Sequence, residues 1–169
     1  MSPRPRPVPT LRPPKLLQPG AGEALHVLDE VATFKVSAGD GRGALSVLEL
    51  ECPPGGGVPL HTHDVADHVL YVLDGVFALT LDGRRETMRP GACAVIPRGQ
   101  AHGYVNVGEG RGRLLVIATP PASAERVFLE LAAMLATGPN GSRDMTSAIR
   151  LLGARHDLAL PPITDPPSA

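Results

Sequence analysis

The stretch Gly55–Gly75, GGGVPLHTHDVADHVLYVLDG, decides how this chain is read. It holds His61, His63 and His68, and a second block, Gly91–Asn106 (GACAVIPRGQAHGYVN), adds His102. Four of the six histidines therefore fall in two short blocks bounded by Gly and Pro. His61 and His63 are two residues apart, so on an extended strand both side chains leave the same face. His68 follows the loop DVAD and opens the apolar run HVLYVL. In the second block Pro97 and Gly99 bend the chain, and His102 begins a strand on which His102, Tyr104 and Asn106 share a face. Imidazoles converging in a pocket suit a transition metal, and the cofactor expected is one divalent ion, Zn, Ni, Cu or Fe.

Outward from these blocks the chain reads as short strands. EALHVLD (23–29) and VATFKVS (31–37) alternate loosely, with Asp29–Glu30 as the tight turn between them. AGDGRG (38–43) is a surface loop, because the Lys-Ser/Thr and helix of a phosphate-binding loop do not follow it. ALSVLELEC (44–52) puts Leu45, Val47, Glu49 and Glu51 on one face and Ala44, Ser46, Leu48, Leu50 and Cys52 on the other. Residues 68–73 and 76–82 read as a hairpin through Asp74–Gly75, and Asp82–Gly83 leads from there into 84–88. Strands at 92–96, 102–107 and 112–118 complete an all-β core. After Pro120–Pro121 the period changes. SAERVFLELAAMLATG places Val127, Leu131 and Leu135 on one helical stripe, with Phe128, Ala132 and Met134 beside it, Ser123 as the N-cap and Gly138 as the C-cap. DMTSAIRLLGARHD (144–157) is a second, shorter helix candidate. The expected division is an extended arm over 1–22 with seven prolines, a β core over 23–120, helices within 121–157 and a flexible tail over 158–169.

Composition limits the function classes. The 169 residues are enough for one domain with a core, and at 3% aromatics that core is built of Val, Leu and Ala. A formal net charge of −1 gives no footing for nucleic acid or a membrane surface. No apolar run is long enough to span a bilayer, and the basic, Pro-rich N-terminus lacks the apolar segment of a secretory signal, so a cytoplasmic location is expected. Cys52 and Cys93 form no disulfide framework and read as buried free thiols. His26 and His156 lack partners at metal-ligand spacing and read as surface or packing residues.

The pattern Gly55-x5-His61-x-His63-x4-His68-x6-Gly75, followed by Gly91-x5-Pro97-x-Gly99-x2-His102-x3-Asn106, resembles the two signature motifs of the cupin superfamily. YVLDG, DGR, RPG and IPRG agree with it, and the resemblance covers roughly residues 25–118. It implies a double-stranded β-helix (cupin, jelly-roll) barrel with one or two appended C-terminal helices and a metal inside, held by His61, His63, His102 and the residue at 68. The departure is at that residue, where the family usually has a Glu ligand. His68 either ligates, or stays off the metal as a base or hydrogen-bond donor, or the site holds three histidines and waters with Asp67 or Asp64 swinging in. Among single-domain cupins the chain looks most like those resembling quercetin 2,3-dioxygenase, which implies addition of O2 to a small phenolic or enolisable substrate. A Zn-dependent cyclase or isomerase of the aromatic polyketide type comes second. There His68 would serve as base and Tyr104 as acid, the alternative for Tyr104 being a wall residue of the barrel. A cupin that only binds a metal or small molecule comes third. Cupin pairing through strands and termini implies a homodimer, with the arm and the helix at 123–137 as candidate contacts.

Overall fold

The computed structural model describes residues 13–27, 29–40, 43–121, 124–137, 145–153, 155–156 and 159–160. The strands are β1 (Glu23–Val27), β2 (Glu30–Val36), β3 (Ser46–Cys52), β4 (Gly57–His61), β5 (Asp67–Asp74), β6 (Phe77–Leu81), β7 (Arg84–Met88), β8 (Cys93–Ile96), β9 (His102–Asn106) and β10 (Gly112–Thr119). Two helices follow, α1 (Ala124–Thr137) and α2 (Met145–Gly153). The chain is all-β with two C-terminal helices, as expected. Ser123 and Gly138, the expected caps, lie outside the described residues, as does the side chain of Leu135.

The strands form two antiparallel sheets, ordered β1-β2-β3-β10-β5-β8 and β4-β9-β6-β7. Among the described residues hydrogen bonding does not close them into a continuous barrel, so the architecture is a β-sandwich with its core between the inner faces. The sequence enforces this by alternation. In β3 the buried residues are Ser46, Leu48, Leu50 and Cys52, which is one of the two faces read from the alternation. Leu70, Val72, Leu114 and Val116 join them from the larger sheet, and Phe77, Leu79, Met88 and Tyr104 meet them from the smaller one.

Two expectations are corrected. The chain does not form a hairpin at Asp74–Gly75: β5 pairs with β10 and β8, whereas β6 pairs with β7 and β9. Gly75, at φ 81°, carries the chain from one sheet to the other, and a Cβ there would lie 2.7 Å from the Gly112 Cα. The turn at Asp82–Gly83 does join a hairpin, β6 to β7, with φ of 50° and 72° as a primed turn requires. The second correction concerns Cys93, which is exposed on the edge strand β8, while Cys52 is buried.

The helices cover one end of the sandwich. Leu131 of α1 packs with Val27, Ala148 and Leu152, and Phe128 meets Phe34 edge-to-face at 6.1 Å. Of the N-terminal segment, residues 1–12 lie outside the described residues. Further on, Lys35 Nζ donates to the Ala21 carbonyl (2.8 Å) and Lys15 pairs with Asp40 (2.5 Å). No helix among the described residues is long and apolar enough to cross a membrane.

Candidate metal centre

The two histidine blocks meet because β4 and β9 are neighbours in the smaller sheet, with His61 opposite His102 in the register. Their backbones approach closely, and this is why glycine stands at 57 and 103. A Cβ at Gly103 would lie within 2.8–2.9 Å of β4 backbone atoms, and one at Gly57 would lie 2.0 Å from the Tyr104 oxygen. His63 follows just beyond β4. The backbone of Thr62, between the two histidines, exchanges two hydrogen bonds with Ala159 (2.7 and 2.9 Å), so the C-terminal segment pins the His-Thr-His run. His68 comes from the other sheet, on β5, with its side chain buried.

The ligand atoms of His61, His63 and His102 all lie within 4.8 Å of one another. The His61 and His102 ring centroids are 4.3 Å apart, and the His68 ring lies tilted against His63 at 4.2 Å and 5.6 Å from His102. All four predicted ligands thus share one pocket, with three of them forming the tighter group. Asp67 faces away on the same strand: Arg98 donates to it from its backbone N–H (2.9 Å), Nε (3.0 Å) and a terminal guanidinium nitrogen (2.9 Å), and this holds its carboxyl at about 2.

The chemistry of the donor set fits a divalent transition metal. Nδ1 of His61 is 2.8 Å from the Pro59 carbonyl, and Nδ1 of His102 is 3.0 Å from the Gln100 carbonyl. A carbonyl only accepts, so each Nδ1 carries the proton and each Nε2 keeps its lone pair for a ligand bond. Burial, followed by repulsion from neighbouring imidazoles, holds His61 well below its ordinary value. Burial likewise brings His68 down to about 3 and His102 to about 4. His61, His68 and His102 are therefore neutral at physiological pH, the state in which imidazole binds metal.

The histidines line a cavity of about 90 Å³ whose other walls are mostly apolar, including Leu50, Leu70, Val116, Phe128 and Ile149. Tyr104 lies on its wall, 7% exposed, and burial pushes its hydroxyl well above the ordinary range. Asn106, on the same face of β9, is taken up structurally: its Nδ2 donates to the carbonyls of Cys52 (2.9 Å) and Gly110 (2.8 Å), and its Oδ1 accepts from the Gly108 N–H (2.9 Å). One cavity residue escaped the sequence reading. Glu30, assigned to a turn, is the first residue of β2 and points inward at 9% exposure. Its signal was the phase of the strand, since Glu30, Ala32 and Phe34 fall on one face.

Comparison with known proteins agrees with this geometry. The sequence pattern of the Cupin domain matches residues 48–118. Quercetin 2,3-dioxygenase of Bacillus subtilis is 34% identical over 97 residues, covering 57% of this chain and 29% of that protein. Germin-like protein 1 of Brassica napus is 34% identical over 91 residues, covering 51% of this chain and 42% of that protein. The chain thus spans less than half the length of these two curated relatives. Among solved structures, the polyketide cyclase RemF from Streptomyces resistomycificus is 31% identical, with 63% of this chain and 79% of that chain covered at a TM-score of 0.56. KdgF from Halomonas sp., at 20% identity and a TM-score of 0.54, shares the fold.

Proposed function

The chain belongs to the cupin family, and from that premise we propose that it is a metal-dependent enzyme of the cyclase or isomerase type, acting without O2 on a small enolisable or phenolic carbonyl compound. The observation that carries this reading is the donor set: four imidazoles share the pocket, those of His61, His68 and His102 buried, and Asp67, the neighbouring carboxylate, is tied up by Arg98. His61, His63 and His102 would hold the ion, with His68 as fourth ligand or as a base beside it. An ion held by neutral ligands supplies its full charge to polarise a carbonyl oxygen. The similarity to a polyketide cyclase over most of that protein's length supports the same choice.

The chain's own residues supply the rest. Leu50, Leu70, Val116 and Phe128 bind apolar substrate surface and exclude water. A cavity of ~150 Å³ takes a benzene ring, so one of about 90 Å³ admits the reacting end of a substrate. Tyr104 stays protonated and serves as a hydrogen-bond donor to substrate oxygen.

The sequence alone puts an oxygenase first. The order changes here because among the described residues no carboxylate joins the clustered ligand atoms of His61, His63 and His102, as the two-histidine, one-carboxylate pattern suited to non-haem Fe(II) oxygenases requires. A dioxygenase is the second reading, favoured by the 34% identity to quercetin 2,3-dioxygenase. Turnover of a polyketone or 1,3-diketone under argon and under air separates the two. Equal rates support the cyclase reading, and substrate loss coupled to O2 consumption refutes it. The reading includes a homodimer, supported by Tyr71, Leu73 and Val95, which are exposed on the outer face of the larger sheet. A concentration-independent monomer mass in light scattering would overturn that element.

A further inference from the structure

Glu30 is a carboxyl where the strand pattern calls for an apolar side chain. It occupies the first inward position of β2, ahead of Ala32 and Phe34, and lines the same cavity as the four histidines. The groups facing it come from several elements. The Gly57 N–H of β4 donates to its Oε1 at 2.6 Å, and the Cys52 thiol of β3 hydrogen-bonds its carboxyl. Tyr104 of β9 is close enough for the Glu30 charge to raise its hydroxyl further. Arg111, before β10, acts only weakly on Glu30, because its guanidinium is engaged by Glu51 and the Asp29 carbonyl. The α1 residues on this cavity, Val127, Phe128 and Leu131, are apolar. Among the described residues Glu30 forms no ion pair.

Burial brings this carboxyl to about 7, so both of its protonation states exist near neutrality. Tyr104 is held neutral over that range and cannot cycle in the same way. A purely structural group in this place would gain nothing from being ionisable, since an amide would accept the same Gly57 hydrogen bond without the desolvation cost.

We propose that Glu30 is the catalytic acid–base of the cavity, shuttling a proton between carbon and oxygen of an enolisable carbonyl substrate. The carboxylate takes the proton from the carbon beside the carbonyl. The C–H electron pair becomes the enol double bond, and the carbonyl π pair moves onto oxygen. The carboxylic acid so formed gives the same proton to that oxygen, so the enol forms and Glu30 returns to its starting state without any co-reactant. The assignment rests on the non-redox reading of the site.

The test uses the full chain loaded with zinc and phenylacetone as probe, with deuterium incorporation at the benzylic carbon followed by NMR across pH 5–9. Wild type is expected to catalyse exchange with a limb near pH 7. Glu30→Gln is expected to lose ~10²-fold or more of that rate while binding zinc at unchanged stoichiometry, whereas Glu30→Asp keeps a titrating limb but at a pH displaced from that of wild type. Infrared difference spectra give a readout independent of turnover: a protonated carboxyl band that converts to carboxylate near pH 7 in wild type and is missing in Glu30→Gln. Exchange at the wild-type rate in Glu30→Gln overturns the proposal, as does survival of the titrating band or a wild type that exchanges no deuterium above buffer. If Glu30→Gln does not fold, an unchanged pH–rate profile in Glu30→Asp overturns it instead. Zinc-stripped wild type separates the two levels. Undiminished exchange there defeats the metal-dependent reading and leaves Glu30 standing. Exchange that is lost with zinc but kept in Glu30→Gln defeats Glu30 alone.

Discussion

Replacing Glu30 by Gln has a consequence for stability that can be worked from the structure. Burial is the largest influence on this carboxyl, outweighing the Gly57 and Cys52 hydrogen bonds and the charge of Arg111, and it raises the group from 4.5 to about 7. With the folded-state value above the unfolded one, the folded chain holds more protons between those pH values. The protonated carboxyl's contribution is therefore fully present below about pH 4.5 and is lost as pH rises through about 7. At ~1.4 kcal/mol per pH unit of difference, the loss is on the order of 3 kcal/mol. The side chain is 9% exposed, so solvent screening removes little of it. Gln keeps an acceptor for the Gly57 N–H and cannot ionise. Glu30→Gln is thus expected to match wild type within ~1 kcal/mol at pH 4.5 and to exceed it by about 3 kcal/mol at pH 8. Urea unfolding of both metal-free proteins, followed by circular dichroism over this pH range, measures the difference, in which the histidine contributions cancel. A difference that stays constant from pH 4.5 to 8 would refute the assignment of a buried, high-lying carboxyl.

Three further expectations test the frame around the site. Gly103→Val drives side-chain atoms into the β4 backbone, 2.8–2.9 Å from where its Cβ would sit; it should lower stability by about 3 kcal/mol or more and weaken metal binding, read by thermal melts with and without zinc. Leu114→Ala, at a core position 1% exposed, should cost about 2–5 kcal/mol in urea unfolding while leaving metal stoichiometry unchanged. His68→Glu places a carboxylate among the imidazoles and should shift competitive loading from zinc toward iron or manganese; an unchanged metal preference would remove His68 from the ion's surroundings.

Much of the site was legible because its determinants are local. The His-x-His pair needs only an extended backbone, and the Gly and Pro residues that bend the chain around it are read directly. The β6–β7 turn was legible for the same reason, since Asp82–Gly83 supplies both positive φ values within two residues. What failed depends on distant parts of the chain. Asp74–Gly75 signals a change of direction, but whether the next strand pairs with the last is decided by β10 and β9, which come later in the chain. Cys93 lies in an apolar run, but its exposure follows from β8 being the edge of the larger sheet. Glu30 was hidden because a turn-like dipeptide, Asp29–Glu30, masked the inward phase it shares with Ala32 and Phe34. The ordering of the four imidazoles was likewise out of reach, because His68 arrives from the opposite sheet.

The central claim is that His61, His63 and His102, with His68 beside them, form a site for one divalent ion. Metal content measured by mass spectrometry on purified wild type and His61→Ala tests it most directly. One equivalent of a divalent transition metal, zinc foremost, is predicted in wild type, with less than about a tenth of that in the variant, given losses of ~10-fold to 100-fold even for residues that only support a ligand. Wild type that carries no metal after zinc reconstitution, or His61→Ala that retains a full equivalent, would contradict it.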